Sequence, residues 1–322
     1  MQQFVKPTVF ASKCLGFAAC RWNGATIESE IVRKLGAHVD FITHCPELEI
    51  GLGVPRPPVC VVEEGGERYL YQPETGRDLT ATMRDYTAQT LSSLPEVDGF
   101  ILKSRSPSCG LTDVKIYSGK DRNFVSAKGA GFFAAQVLER DGAGKAEDEG
   151  RLLNFTIRER FLIKIYIFAD FRMVKTTGDI SELSRFQARN KLLLMSFNQG
   201  EMREMGKLAA HPRGSSFLQI AEQYQKHLNR ALLKGLRRGN VINAFMHMLG
   251  YFKKELKAAE KSYFLDLLEK YRAGRVPFSA VAAVLRLWVA RTDQSYLRDQ
   301  TFFEPYPEAL LDISDSGKGR DY

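Results

Sequence analysis

The sequence predicts two domains of different class: an α/β domain built on a parallel sheet, then an all-α domain. Three observations predict it. Over the first half, short apolar runs alternate with helix-like stretches; from Leu152 onward only helical periodicity remains; and a polar, glycine-rich, acidic run, Asp141-Gly142-Ala143-Gly144-Lys145-Ala146-Glu147-Asp148-Glu149-Gly150, lies between the two patterns. The length of 322 residues also exceeds one ordinary core and fits two domains of about 150 residues each. The expected division is a first domain at 1–145, a linker at 146–154 and a second domain at 155–322.

The elements follow in order. Thr8-Val9-Phe10, Val39-Asp40-Phe41-Ile42, Val59-Cys60-Val61-Val62 and Gly99-Phe100-Ile101-Leu102 are short and largely apolar, as strands buried on both faces are. Helix-like stretches at 26–35, 79–94 and 129–138 separate or follow them, the alternation of a parallel sheet. The second half reads as helices near 155–174, 179–196, 215–235, 240–256, 258–272 and 278–298, with Gly235, Gly250 and Gly274 near ends or bends and Pro277 in a first turn.

Composition narrows the function classes. Hydrophobic residues make up 44% and charged residues 26%, the balance of a soluble globular protein, and no segment is long and apolar enough to cross a bilayer. The opening Met1-Gln2-Gln3-Phe4-Val5-Lys6 lacks the order of a secretory signal, so a cytoplasmic location with reduced thiols is expected. All five cysteines fall within the first 109 residues, a pattern that suits metal binding or catalysis better than a disulfide framework. Net charge is +8, but residues 1–150 carry 17 basic against 20 acidic side chains, leaving 29 against 18 for 151–322. The second half is therefore the polyanion-facing one, with a solvated surface as the plain alternative. Gly142-Ala143-Gly144-Lys145 lacks the Ser or Thr of a phosphate-binding loop, so no nucleotide triphosphate site is expected.

Three loops of the first half carry the chemistry: Ser12-Lys13-Cys14-Leu15-Gly16; His44-Cys45-Pro46-Glu47 with Gly51-Leu52-Gly53-Val54-Pro55-Arg56-Pro57-Pro58; and Leu102-Lys103-Ser104-Arg105-Ser106-Pro107-Ser108-Cys109-Gly110. Each presents a cysteine beside Gly or Pro after a predicted strand, at the sheet edge where open α/β folds bind ligands. Thiolates are what iron-sulfur clusters and zinc require. The residues alone leave two readings open, ligation by three thiolates and buried inert cysteines. Cys20 lies six residues after Cys14 and could complete a four-thiolate site or stand beside a cluster, while Cys60 reads as core. Arg21, Arg56 and Lys103 adjoin the loops, where positive charge favours thiolates.

These loops, together with Cys20-Arg21-Trp22-Asn23-Gly24, resemble the 2-thiouracil desulfidase family over roughly residues 8 to 145. The resemblance implies a Rossmann-like parallel sheet with a 4Fe-4S cluster at its strand C-terminal edge, held by Cys14, Cys45 and Cys109 with the fourth iron open. It implies hydrolytic, non-redox removal of sulfur from a thiolated uracil and its release as hydrosulfide. Glu47 falls at the family's acid/base carboxylate, and Ser106 at the serine that orients substrate or water. A solvated loop carboxylate and a turn hydroxyl are the bland alternatives.

The second half resembles the helical YbgA-type domain often fused to such desulfidases, through Asn190-Lys191-Leu192-Leu193-Leu194-Met195, Gly250-Tyr251-Phe252-Lys253-Lys254-Glu255-Leu256, Tyr271-Arg272-Ala273-Gly274 and Glu304-Pro305-Tyr306-Pro307-Glu308. Gln187 and Asn190 stand where that family usually has histidines. Lys226, Arg230 and Lys234, followed by Arg237 and Arg238, and a second row of Lys253, Lys257 and Lys261 are candidate RNA-binding residues, each row at helical spacing. The fusion points to 4-thiouridine in tRNA as substrate. The other readings are desulfuration of free 2-thiouracil, thiouridine or thio-nucleotides, and a non-catalytic iron-sulfur sensor that binds RNA.

Overall fold

The computed structural model describes residues 3–121, 124–210 and 214–317. Two compact units result, one running to Ala169 together with the segment from Ala309, the other covering Asp170–Glu308. The first unit opens with β1 (Thr8–Ser12), α1 (Glu30–Leu35), β2 (Asp40–His44) and α2 (Pro46–Glu49). It continues through β3 (Cys60–Glu64), β4 (Glu67–Gln72), β5 (Arg77–Asp78), α3 (Thr80–Ser93), β6 (Gly99–Leu102), β7 (Val114–Ser118), β8 (Val125–Gly129), α4 (Phe132–Asp141) and β9 (Ala146–Asp148).

Four of these strands form an all-parallel sheet in the order β2-β1-β6-β9. Its two central strands, β1 and β6, are apolar because both faces are covered: Val9, Phe10, Phe100, Ile101 and Leu102 are fully buried. Phe10 stacks on Phe133 of α4 at 5.1 Å between ring centroids and packs against Phe100 at 5.6 Å. This core joins α3 and α4 to the sheet through Leu91, Ala134 and Val137. The expected α/β architecture with a parallel sheet is present.

Several details differ from the expectation. The strand at Val59–Val62 exists as β3, but it belongs to a second, mixed sheet in the order β5-β4-β3-β7-β8. There β3 runs antiparallel to β4 and parallel to β7. Helix α1 starts at Glu30 rather than 26 because the preceding loop is tied down, Ile27 donating its N–H to the Cys14 carbonyl at 2.8 Å. Helix α4 starts at Phe132 rather than 129 because Val125–Gly129 pairs with β7. The run read as a linker is a sheet strand: β9 pairs Ala146, Glu147 and Asp148 with Phe100, Ile101 and Leu102. Its polar composition concealed it, since Asp148 is buried yet accepts the Arg151 N–H at 2.8 Å.

Helix α5 (Phe155–Thr177) follows, and the boundary between the units falls within it. The second unit adds α6 (Ile180–Phe197), α7 (Gln199–Ala209), α8 (Phe217–Leu233), α9 (Arg238–Tyr251), α10 (Ala258–Arg272), α11 (Phe278–Thr292) and α12 (Ser295–Arg298). An Asn198 cap that accepts from Gly200 and Glu201 starts α7, which the periodicity had not indicated. Phe171, Phe186 and Tyr224 form one aromatic core group, and Phe252, Phe264 and Trp288 another. Gln187 and Asn190 are buried cross-links, Gln187 accepting from the Tyr224 hydroxyl and Asn190 from Thr301 at 2.7 Å. No helix among the described residues is long and apolar enough to cross a membrane.

Burial pushes the Asp148 carboxyl up to about 6. An acid protonated more readily in the folded than the unfolded chain costs stability once ionised, so the cost is absent below about pH 4 and complete above about pH 6. Asp148→Asn keeps an acceptor for Arg151. It is expected to raise the thermal midpoint at pH 7 to 8 and to lose that advantage below pH 4, as read by thermal unfolding across the pH range.

Candidate active site

Parallel pairing brings the C-terminal ends of β1, β2, β6 and β9 to one edge of the sheet, and each delivers site residues there. Cys14 follows β1, Cys45 and Glu47 follow β2, the loop 103–109 follows β6, and Glu149 follows β9. Lys13 donates its N–H to the His44 carbonyl at 2.9 Å, fastening the first two strand ends together. The loops enclose a cavity of about 440 Å³ lined by Cys14, Cys20, Cys45 and Cys109 and by Glu47, Arg56 and Ser106.

Backbone geometry shapes each loop. Cys45 caps α2, with Pro46 at the first helical position, where its missing N–H costs nothing. The loop before Cys109 folds around one hydroxyl: Ser106 Oγ accepts from the N–H groups of Ser108 at 3.3 Å and Cys109 at 3.1 Å. Arg105 adopts a left-handed conformation (φ 59°), and its N–H is held by Asp113 at 2.8 Å. The chain before α4 lies so close to this loop that a Cβ on Gly131 would stand 2.6 Å from the Pro107 and Ser108 carbonyl oxygens.

The four thiols of the cavity are buried and unbridged. Burial, reinforced by Cys45, pushes the Cys14 thiol up to about 12. Burial and Cys45 do the same to Cys20, and burial raises Cys109 well above its ordinary value. Such thiols ionise when a bound cation supplies the missing charge. Among the described residues, no three His, Cys, Asp or Glu side chains converge as a single metal ion needs. Cys14, Cys45 and Cys109 come from three strand ends around one cavity, and their soft sulfur donors suit an iron-sulfur group. Cys45 Sγ lies 3.7 Å from the Cys20 carbonyl, so Cys20 stands against this set. Cys60 sits in β3, within the other sheet and outside the cavity lining.

Glu47 is nearly buried, with 12% of its side chain exposed. Its Oε2 accepts from Arg56 Nε at 3.1 Å and from the terminal nitrogen Nη2 at 2.7 Å. Its Oε1 accepts from Ser108 Oγ at 3.1 Å and, at 3.5 Å, from Ser106 Oγ. The structure thus brings together Cys14, Cys45, Cys109, Glu47 and Ser106. Against the rise from burial, the cations expected to attend the thiolates act as expected, Lys103 and Arg21 lowering Cys14 and Arg56 lowering Cys20, while Arg56 also pairs with Glu47 and Lys103 with Glu149 and Ser104. His44 lies against Tyr86, whose hydroxyl is 3.2 Å from Nδ1, and stacks on Phe10. Sequence reasoning missed Ser108 and Glu149. Ser108 stands between two residues already singled out, and Glu149 lay in the run taken for a linker.

The candidate RNA-binding residues all lie in the second unit, separate from this list. Lys226 and Arg230 are exposed on α8, Lys234 caps its end, Arg237 caps the start of α9, and Arg238 opens that helix. Arg238 donates to the Arg272 carbonyl at 3.3 Å and covers the Tyr271 ring. The second row does not share one helix face: α9 ends at Tyr251, Lys253 lies in the following turn, Lys257 caps α10 and Lys261 lies within it. Lys261 Nζ instead donates to the Lys253 carbonyl at 2.7 Å.

Fold and site together define an α/β protein with a convergent buried-thiol centre at its strand ends, extended by a helical unit. Residues 9–149 match the family described as 2-thiouracil desulfurase, and the chain belongs to that family. Residues 191–307 match a protein family of unknown function, DUF1722. The chain is 36% identical to YbbK of Bacillus subtilis over 109 residues, 32% of this chain and 72% of the relative. It is 24% identical to YbgA of Escherichia coli over 153 residues, 46% of this chain and 89% of the relative. Among solved structures it is similar to the [4Fe-4S]-dependent thiouracil desulfidase TudS, with 32% identity, a TM-score of 0.37, and coverage of 46% of this chain and 93% of that one.

Gly131→Ala places a methyl group against two backbone carbonyls that cannot swing aside. It is expected to cost about 1–3 kcal/mol in urea unfolding and to displace the loop that carries Ser106 and Cys109.

Proposed function

We propose that this chain removes sulfur hydrolytically from 4-thiouridine in tRNA, at a 4Fe-4S cluster held by Cys14, Cys45 and Cys109. The observation that carries the reading is the meeting of three buried thiols from separate strand ends with Glu47 and Ser106 in one cavity, where Ser108 also reaches that carboxylate. When bound, the cluster would supply a Lewis-acidic iron with an affinity for soft thiocarbonyl sulfur. The net reaction exchanges a C=S bond for C=O at the expense of water and releases hydrosulfide and a proton, with no electron transferred.

The protein's own residues supply the proton handling. Glu47 Oε1 faces the serine hydroxyls and takes a proton from the attacking water, then returns it to the ring or to the departing sulfur. Ser106, adjoining both Glu47 and the Cys109 backbone, orients the water or the substrate carbonyl edge. Cys14, Cys45 and Cys109 would hold the cluster, with Cys20 beside them through its carbonyl contact to Cys45.

The basic charge of residues 151–322 supports RNA as the carrier of the thiolated base. Exposed Lys226, Arg230, Lys234, Arg237 and Arg238 are the residues for its backbone, with Lys253, Lys257 and Lys261 as a second, non-collinear group. A base stacked within folded RNA must turn outward to reach the cavity. A second reading, desulfuration of free 2-thiouracil, is favoured by the description of the family that residues 9–149 match.

The deciding experiment is anaerobic: reconstitute the cluster, add tRNA containing 4-thiouridine, and follow its near-ultraviolet absorbance together with hydrosulfide. The expected result is loss with wild type that slows by about 10²–10⁴-fold in Glu47→Ala; turnover of free thiouracil alone retains the chemistry and removes RNA from it. Cys14→Ala, Cys45→Ala and Cys109→Ala are each expected to abolish cluster absorbance and activity, whereas Cys60→Ala leaves the absorbance in place. Reversing the charge of Lys226, Arg230 and Lys234 together is expected to weaken tRNA binding at least tenfold and to flatten its dependence on salt, by about one unit of slope per contact removed. Unchanged binding assigns the RNA to another face.

A further inference from the structure

We infer that Arg56 is a positioning residue that decides which oxygen of Glu47 works at the reacting centre. The inference rests on the proposed role of Glu47 and goes beyond it. Arg56 is not a surface ion-pair partner: 3% of its side chain is exposed, against 12% for Glu47. Two of its nitrogens, Nε and Nη2, converge on one carboxylate oxygen, Oε2. The third, Nη1, donates to the Cys20 carbonyl at 3.0 Å and to the Gly53 carbonyl at 2.9 Å. The planar guanidinium is therefore held by two backbone carbonyls at Nη1 and meets the carboxylate along its Nε–Nη2 edge.

The consequence is an asymmetric carboxylate. The two oxygens of an ionised Glu are equivalent until the surroundings distinguish them, and here Oε2 is saturated by a buried cation while Oε1, among the described residues, meets two hydroxyls. A hydroxyl can reorient or yield its place to water, so Oε1 is the oxygen left to exchange a proton. The backbone alone does not secure this. Helix α2 has four residues, and the Glu47 side chain leaves it with three rotatable bonds. A lysine at 56 would keep the charge but not the fork, because one ammonium cannot reach Oε2 and both carbonyls in a single plane.

Reacting groups misplaced by about 1 Å lose on the order of a hundredfold in rate, so the effect belongs in kcat. The test uses cluster-loaded enzyme and free thiouracil, comparing wild type, Arg56→Lys, Arg56→Ala, Glu47→Ala and the Glu47→Ala/Arg56→Lys double variant. Arg56→Lys is expected to retain cluster absorbance, to lose at least about tenfold in kcat and to change KM less than about threefold. Added guanidinium should restore part of the rate of Arg56→Ala. In the Glu47→Ala background, Arg56→Lys should cause no further loss, because the carboxylate it orients is gone.

In cluster-free protein, the Glu47 carboxylate stretch, isolated by subtracting the infrared spectrum of Glu47→Gln, should shift in Arg56→Lys. A wild-type kcat in Arg56→Lys, a fully additive loss in the double variant, or an unshifted carboxylate band overturns the inference. If Arg56→Ala does not fold, Arg56→Lys and the double variant still decide it. A wild type that turns over no thiolated uracil refutes instead the reading of the site, while the infrared comparison still reports on the orientation of Glu47.

Discussion

Parallel, in-register pairing of β2, β1, β6 and β9 is the constraint on which the site depends. Strands that run the same way end on the same edge, and a chain leaving any of them must cross that edge before it can turn back. Four separate segments therefore meet without any one being long or unusual. Ser12 shows how tightly the ends are coupled. Buried at the end of β1, it accepts the Lys103 N–H at 3.0 Å, and its side chain hydrogen-bonds the Cys109 thiol, partly offsetting the rise that burial imposes on it. One hydroxyl thus spans two strand ends and touches a thiol that belongs to the second.

Packing beneath the edge explains why this arrangement holds. Phe10, Phe100 and Phe133 fill the space between sheet and α4, and α4 in turn presses its first turn onto the cysteine loop. Phe133 and Ala134 both donate N–H groups to the Ser108 carbonyl, at 2.9 and 3.1 Å. The loop that carries Cys109 is accordingly held from below by helix backbone and from within by Ser106. Burying thiols so deeply is unfavourable for their charged forms, and the pairing of Arg56 with Glu47 and of Lys103 with Glu149 means that nearby cations are largely committed elsewhere. The site is poised for a ligand that brings positive charge of its own.

Much of this was legible in the sequence, for physical reasons. Strands buried on both faces must be apolar throughout, so β1 and β6 announced themselves, the edge strand β2 showed through Phe41 and Ile42, and the cysteines after them could be placed at one edge. β9 could not be read the same way. It is three residues long, two of them acidic, and owes its place to pairing with β6 and to a backbone contact from Arg151. Glu149 was lost with it. Likewise β7 buries only Val114 and Ile116 and β8 none of its residues, so the mixed sheet left little apolar signal beyond β3. In the helical unit, spacing alone joined Lys253, Lys257 and Lys261 into a row, whereas the chain turns between α9 and α10 and breaks the periodicity. Charge spacing reports a helix face only where the backbone stays helical.

The two serines of the site illustrate why geometry must separate roles that sequence cannot. Ser106 and Ser108 are neighbours in one motif, and both approach Glu47 Oε1. Ser106 also receives two backbone N–H groups, one of them from Cys109. Removing its hydroxyl would release the loop that carries a thiol at the same moment as it altered the carboxylate, so a loss of activity there could not be assigned to proton transfer. Ser108 has the shorter contact to Glu47, and its carbonyl, rather than its hydroxyl, takes up the helix N–H groups. Its side chain can therefore be changed with less disturbance to the loop. The hydroxyl nearer the carboxylate is thus the cleaner probe of the chemistry, and the one nearer the cysteine backbone is the one on which the shape of the site depends.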